Sequence, residues 1–264
     1  MDRAARAAEL LAHARRTGEK LEELPAEVRP RDVDEAYAIA DALLAALGTR
    51  PGDLMGWYMA CVNPAMQKAH GLAAPYFGRM RRAMVGDSPA RVGMGGTAKR
   101  WSLEVEFVFR MARDLPARAS PYGAGEVADA IGAMAGAIEF VEGSYVDFTR
   151  VSGFSVVADN GTEGHYVMGA MREDWRALDR AGLAVALAKN GTERVEGAAT
   201  AILGDPLNAV VWLANELSRR GRAIRAGELI GTGNCLARYA FGTAGDRIVA
   251  NCGPLGTVRA ELTV

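Results

Sequence analysis

The sequence predicts an α+β fold, and three observations carry that reading. Apolar side chains recur near the 3.6-residue helical period through the first fifty residues or so, between Ala7 and Leu44. Most of the remaining chain reads as short strands separated by turn residues, with one strong helix inserted after Asp205. No strand–helix alternation recurs and no internal repeat is visible, which excludes a βαβ repeat as the organising rule.

The elements follow in order. Ala7, Leu10, Leu11 and Ala14 form one helical stripe, and Val33, Ala36, Tyr37, Ile39, Ala40, Leu43 and Leu44 form a second. Pro25, Pro30 and Pro51 punctuate them, and Gly48 is a stop signal. From Gly56 to Gly96 the chain reads as irregular, rich in Gly, Met and Pro. A strand is expected over Trp101–Met111, a turn over 116–124 and a helix from Glu126 to Gly136. Short strands are expected at 137–141 and 154–158. Gly182–Lys189 and Arg194–Ala198 read as a hairpin around Asn190-Gly191, a pair suited to a type I′ turn. Asp205 caps the helix that Pro206 opens, and Gly221 closes it behind Arg219 and Arg220. Short strands follow at Leu229–Gly231, Arg247–Val249 and Thr257–Leu262. The organisation read from this is a helical and irregular region, 1–95, before a β-rich region, 96–264; the two also fit a single domain.

Composition narrows the function. Thirty-one Lys and Arg against 32 Asp and Glu give a net charge of −1, unlike the basic surplus of a general nucleic-acid binder. Cys61, Cys235 and Cys252 are too scattered for a disulfide framework or a zinc site. His13, His70 and His165 lie far apart, and His70 and His165 read as structural or exposed. No glycine-rich phosphate motif stands between a strand and a helix. A bound metal would therefore be held by carboxylates, which favours magnesium or manganese. Charges at nearly every turn of residues 1–22 read against a signal peptide, and no apolar run is long enough to be expected to span a membrane. A cytoplasmic chain is expected. Residues 79–100 hold Arg79, Arg81, Arg82, Arg91, Lys99 and Arg100 against Asp87. They make either a solvated loop face or a cationic approach for an anionic substrate.

The strand Leu103-Glu104-Val105-Glu106-Phe107-Val108-Phe109 is the most informative segment. Leu103, Val105, Phe107 and Phe109 make an apolar face, so Glu104 and Glu106 share the other, roughly 7 Å apart. Such a pair is either a solvated outer face, with Arg110 leaning back on Glu106, or two ligands of one cation. Glu139, between Ile138 and Phe140, is a third candidate acid that also fits an exposed strand position. Glu142 has no pattern in its favour.

From about Ala36 to Val264 the chain resembles the hydratase/decarboxylase branch of the fumarylacetoacetate hydrolase superfamily, typified by 2-keto-4-pentenoate hydratase. The motifs are Glu104-Val-Glu106 with Arg113-Asp114-Leu115-Pro116, Ile138-Glu139 before Asp147, and Val157-Ala158-Asp159-Asn160. Gly204-Asp205-Pro206-Leu207-Asn208 leads on to Trp212-Leu213-Ala214-Asn215, and Ala226-Gly227-Glu228 leads to Gly231-Thr232-Gly233. Ala244-Gly245-Asp246 and Gly253-Pro254-Leu255-Gly256 complete the series. The resemblance implies an N-terminal helical region packed on a mixed, rolled β-structure. It implies a divalent cation, Mg²⁺ or Mn²⁺, held by Glu104, Glu106 and Glu139. The substrate implied is a 2-oxo or enol carboxylic acid, with hydration the leading reaction and decarboxylation, isomerisation or hydrolysis as rivals. A catalytically silent binding partner is the alternative from outside the enzyme class. An assembly of like chains, or one with a paralogous decarboxylase, is implied as well.

The chain departs from the hydratases at three places. Gly56-Trp57-Tyr58 stands where they carry a lysine after Gly-Trp or Gly-Tyr, and that lysine is the usual acid/base. Tyr76 stands where an acid often precedes Phe-Gly, and Asp205 replaces a histidine. Tyr58 either fills the space of the lost lysine or donates a hydrogen bond to a substrate oxyanion. Tyr76 is grouped with it as catalytic. Lys68, Lys99 and Arg100 are candidate substitutes for the lysine, and Arg100 is also assigned to substrate. Asn160 and Thr162, in the Asp159-Asn160-Gly161-Thr162 turn, are the other substrate-binding expectations; an Asx-turn without a ligand is the plainer reading.

Overall fold

A computed structural model describes residues 2–93 and 100–264. Lys99, and Gly95 and Gly96, between which the regional boundary was drawn, lie outside the described residues. The elements are α1 (Arg3–Thr17), α2 (Val33–Ala46), β1 (Leu54–Ala60), α3 (Pro64–His70), β2 (Tyr76–Arg81), β3 (Val85–Asp87), β4 (Ala90–Gly93) and β5 (Trp101–Met111). There follow α4 (Ala124–Ala130), β6 (Ile131–Val141), α5 (Gly153–Ala158), β7 (His165–Met168), β8 (Ala184–Lys189), β9 (Glu193–Ala198) and α6 (Pro206–Arg219). The last are β10 (Leu229–Gly231), β11 (Ala240–Gly242), β12 (Arg247–Asn251) and β13 (Thr257–Thr263).

Two sheets result, within the expected α+β class. The first runs β2-β1-β10-β5-β6-β7-β3, with β11 also pairing to β5; the second runs β4-β13-β12-β8-β9. Both are mixed: β1–β10, β3–β7 and β4–β13 are parallel, and the other pairs are antiparallel. The second sheet packs on one face of β6, where Cys252 Sγ would stand 2.4 Å from a Cβ placed on Gly136. Only Ser88 and Pro89 separate β3 in the first sheet from β4 in the second. Ser88 donates its N–H to Met168 of one sheet and accepts from the Arg259 N–H of the other, both at 2.8 Å. One apolar core takes in Leu11 and Leu43 of the first helices, Trp57 of β1, Phe107 of β5 and Leu213 of α6.

The helical stripes of α1 and α2 and the strand over Trp101–Met111 form as the sequence indicates. The Asn190-Gly191 hairpin forms with positive φ at both turn residues, 54° and 77°. Asp205 caps α6 by accepting from the Leu207 N–H at 2.8 Å.

Three segments differ from expectation. The stretch Gly56–Gly96, expected to be irregular, holds four strands and a helix within its described residues, 56–93. The strand residues Gly56-Trp57-Tyr58-Met59 are apolar on both faces because β1 lies inside the sheet, so no alternation marks them. The helix expected over Glu126–Gly136 ends at Ala130, and β6 begins at Ile131. Pairing along the whole of β5 overrides the helical propensity of its alanines. Residues 153–158 are helical, since five residues, apolar apart from Ser155, are too few to show a period that separates the two states.

Candidate active site

The carboxylates come together through one strand pair. β5 and β6 run antiparallel with Glu104 opposite Glu139 and Glu106 opposite Ala137. Alternation keeps Glu104 and Glu106 on one face, and the pairing adds Glu139 to it. One oxygen from each lies within 4.8 Å of the others. The face is not solvated: Glu106 and Glu139 are buried and Glu104 half-buried. Arg110 pairs with Glu173 at 3.7 Å instead of leaning on Glu106.

Burial, and then the charge of Glu139, pushes the Glu104 carboxyl up to about 8. Burial and the charge of Glu104 do the same to Glu106. Burial and Glu106 raise Glu139 well above the ordinary range. Tyr166 of β7 donates to Glu106 Oε2 at 3.2 Å, and the Gly164 N–H donates to Glu139 Oε1 at 3.3 Å. Glu106 Oε1 is buried without a hydrogen-bond partner among the described residues. An orphaned buried carboxylate oxygen is costly, and three clustered hard oxygen donors fit a divalent cation such as magnesium, manganese or calcium. Gly231 leaves them room: a Cβ there would stand 2.9 Å from Glu106 Oε2, 3.0 Å from Tyr58 Cβ and 3.1 Å from the Tyr166 hydroxyl.

A cavity of about 320 Å³ opens onto Glu104 and Glu139. Its wall includes Tyr58, Tyr76, Gly161 and Thr162, together with Cys61, Met66 and His70 around α3. Asn234 and Tyr239 come from the 232–239 loop. That loop lies between β10 and β11, which pair with opposite ends of β5.

The structure thus brings Tyr58, Tyr76 and Thr162 to the cavity of Glu104 and Glu139. Tyr58 is buried, and its hydroxyl donates to the Asn160 carbonyl. Burial, then the charge of Glu139, holds that phenol well above its ordinary pKa; burial does the same to Tyr76. Their rings meet at Gly161, where a Cβ would stand 2.7 Å from Tyr76 Cε2 and 2.8 Å from the Tyr58 hydroxyl. Asn160 is buried outside the cavity lining, its amide tied to the Arg79 backbone at 2.8 and 2.9 Å. Lys68 is exposed on α3 and outside the lining. Arg100 stacks over Phe241 at 4.2 Å, beside a neighbouring cavity of about 800 Å³. Much of the basic run is paired: Arg79 with Glu228 at 3.1 Å, Arg81 with Glu163 at 2.7 Å and Arg91 with Glu261 at 3.8 Å.

The turn at the cavity wall is strained and braced. Asn160, Gly161 and Thr162 all have positive φ, 49°, 66° and 62°. Arg15 of α1 reaches Asp159 Oδ1 at 3.0 Å and the Asp159 carbonyl at 2.7 Å. Ser144 donates to the same carboxylate through its backbone N–H and its hydroxyl, both at 2.6 Å. Sequence reasoning missed Arg15, Tyr166, Gly231 and the placement of His70. The Gly231-Thr232-Gly233 motif was the one available signal, and it marked the glycine without saying what approaches it.

A family profile described as fumarylacetoacetate (FAA) hydrolase C-terminal matches residues 58–263. The 2-keto-4-pentenoate hydratase of Paraburkholderia phymatum is 33% identical over 88% of this chain and 87% of its own. That of Paraburkholderia xenovorans is 31% identical over 97% of this chain and 93% of its own. A solved structure of 4-oxalocrotonate decarboxylase from Pseudomonas putida G7, complexed with magnesium and adipate, superposes with a TM-score of 0.88 at 25% identity. It covers 98% of this chain and 97% of that one.

Proposed function

Because the chain belongs to the fumarylacetoacetate hydrolase family, we propose that it is a divalent-metal-dependent lyase of a 2-oxo or enol carboxylic acid, a 2-keto-4-pentenoate-type hydratase. The observation that carries the reading is the cluster of Glu104, Glu106 and Glu139 at a cavity sized for a small acid. Glu104, Glu106 and Glu139 would hold the ion, with Mg²⁺ or Mn²⁺ preferred by an all-oxygen set. When bound, the ion supplies Lewis-acid polarisation of the 2-oxo group and offsets the charge of the enolate.

The chain's own residues do the rest. Tyr166 and the Gly164 N–H orient two of the carboxylates. Tyr58, Tyr76 and Thr162 shape the acid's pocket, and a role for the Tyr58 hydroxyl toward substrate requires its bond to Asn160 to open. Asn160 acts by holding that turn. Arg100 is assigned to the far end of a longer substrate, and Lys68 to the approach. Decarboxylation of a 2-oxo dioic acid is the second reading, favoured by the close superposition on the decarboxylase. We assign the chain to the cytoplasm and to an assembly of like chains, with a paralogous decarboxylase as the alternative partner, and retain the regional division at 95/96.

The test is cation binding and turnover together. Dialysed protein should take up Mn²⁺ by paramagnetic resonance and regain turnover of 2-keto-4-pentenoate with Mg²⁺ or Mn²⁺. Glu139→Gln should weaken Mn²⁺ binding by more than the ~100-fold that an outer partner alone can cost. Parental Mn²⁺ affinity in that variant would overturn the assignment.

A further inference from the structure

Resting on the lyase reading above, we propose that the imidazole of His70 is the proton carrier of this site. It takes a proton from C3 of the bound 2-oxo acid and returns one to the carbon skeleton, the work for which this chain has no lysine at Tyr58. Enolisation needs a group that accepts and releases a proton near neutral pH. The other groups at the cavity are disqualified one by one. Glu104 and Glu139 belong to the cation cluster. The Tyr58 hydroxyl donates to a carbonyl. Burial holds the Tyr76 phenol protonated and pushes the Cys61 thiol and the Tyr239 phenol up to about 12. Arg238 presents only donors and has no acceptor atom for a proton.

His70 ends α3 and bounds the same cavity as Glu104 and Glu139. Its ring lies parallel to Phe148, 8° off at 6.4 Å between centroids. Its backbone is anchored, since a Cβ on Gly153 would stand 2.2 Å from the His70 carbonyl oxygen. Among the described residues no hydrogen bond or ion pair engages the ring, and Nδ1 is buried and unpartnered. A histidine kept for structure ordinarily gives its ring N–H to a carbonyl or carboxylate; this one is fixed by packing and left chemically free. Burial lowers its pKa below the ordinary 6.5, so the ring is neutral and able to accept at pH 7.

The step balances within the pair. The C3–H bond breaks, its electrons form C2=C3, the carbonyl π pair moves to the 2-oxygen, and the proton joins an imidazole nitrogen. The reverse transfer delivers the proton from imidazolium to carbon.

The experiment follows deuterium entering C3 of 2-oxobutanoate in D₂O with Mg²⁺, by NMR. The parent should exchange. His70→Gln should exchange at least ~100-fold more slowly, with Mn²⁺ affinity and melting temperature unchanged. His70→Ala should regain part of the rate when free imidazole is added. The imidazole Hε1 signal missing from His70→Gln should also shift in the parent when oxalate, which cannot enolise, binds with Mg²⁺. An exchanging parent with His70→Gln at the same rate overturns the assignment of His70 and leaves the lyase reading standing. Loss of Mn²⁺ affinity in His70→Gln would make the residue structural and overturn it too. A Mg²⁺-loaded parent that does not exchange overturns both.

Discussion

The hydroxyl of Tyr58 and the carbonyl of Asn160, both residues buried, satisfy each other at the cavity wall. Tyr58→Phe leaves that carbonyl without its donor and should cost about 1–3 kcal/mol of stability. A thermal melt should register this as a fall of roughly 2–4 °C per kcal/mol; a variant that melts with the parent would show that the bond adds nothing net. Residues differ in how far sequence exposes such roles. Glu104 and Glu106 are legible because strand alternation alone puts them on one face. Glu139 needed the family resemblance, because its place opposite Glu104 is a matter of register between strands. Tyr166 and Arg15 were illegible for the same reason: each acts on a carboxylate distant in the chain. His70 read as a lone histidine because its cavity exists only once α3, Phe148 and the 232–239 loop have come together.

Elements were legible where they carry their own punctuation. α6 announces itself with Asp205 and Pro206, and the hairpin with Asn190-Gly191. β1 and β6 carry none, since buried strands rich in Gly, Ala and Met lack both alternation and turn residues at the expected places. The cap on α6 has a measurable worth. Asp205 also pairs with Arg180 at 3.0 Å, so the carboxylate serves two ends. Asp205→Ala should destabilise the protein by about 1–2 kcal/mol, while Asp205→Asn should retain most of the cap. Equal melting temperatures for Asp205→Ala and the parent would refute the cap's contribution.

At the scale of the whole molecule, the carboxylate cluster makes the metal-free protein sensitive to alkali. Glu104 and Glu106 titrate near 8 when folded, against an ordinary 4.5. The folded state therefore holds more protons than the unfolded one between those values. The associated stability is complete below about 4.5 and lost as pH rises through about 8. Chelator-treated protein should melt at a lower temperature at pH 9 than at pH 6. Mg²⁺ should restore it at pH 9 and do little at pH 5, where protons occupy the site. A melting temperature indifferent to chelation across that range would contradict the cluster's electrostatics. The join between the sheets sets a different limit. Ser88 acts as a rivet: load on one sheet passes to the other through two residues and a hydrogen bond on either side, with no slack to absorb it. The sheets are fixed to one another at that edge, and the β3–β7 and β7–β6 pairings carry the connection inward to Glu139, opposite Tyr166. The 232–239 loop on the cavity wall is tied to the same framework, since the Thr232 and Cys235 N–H groups donate to Phe107 and Val105 of β5 and the Ala237 N–H to Glu196 of β9.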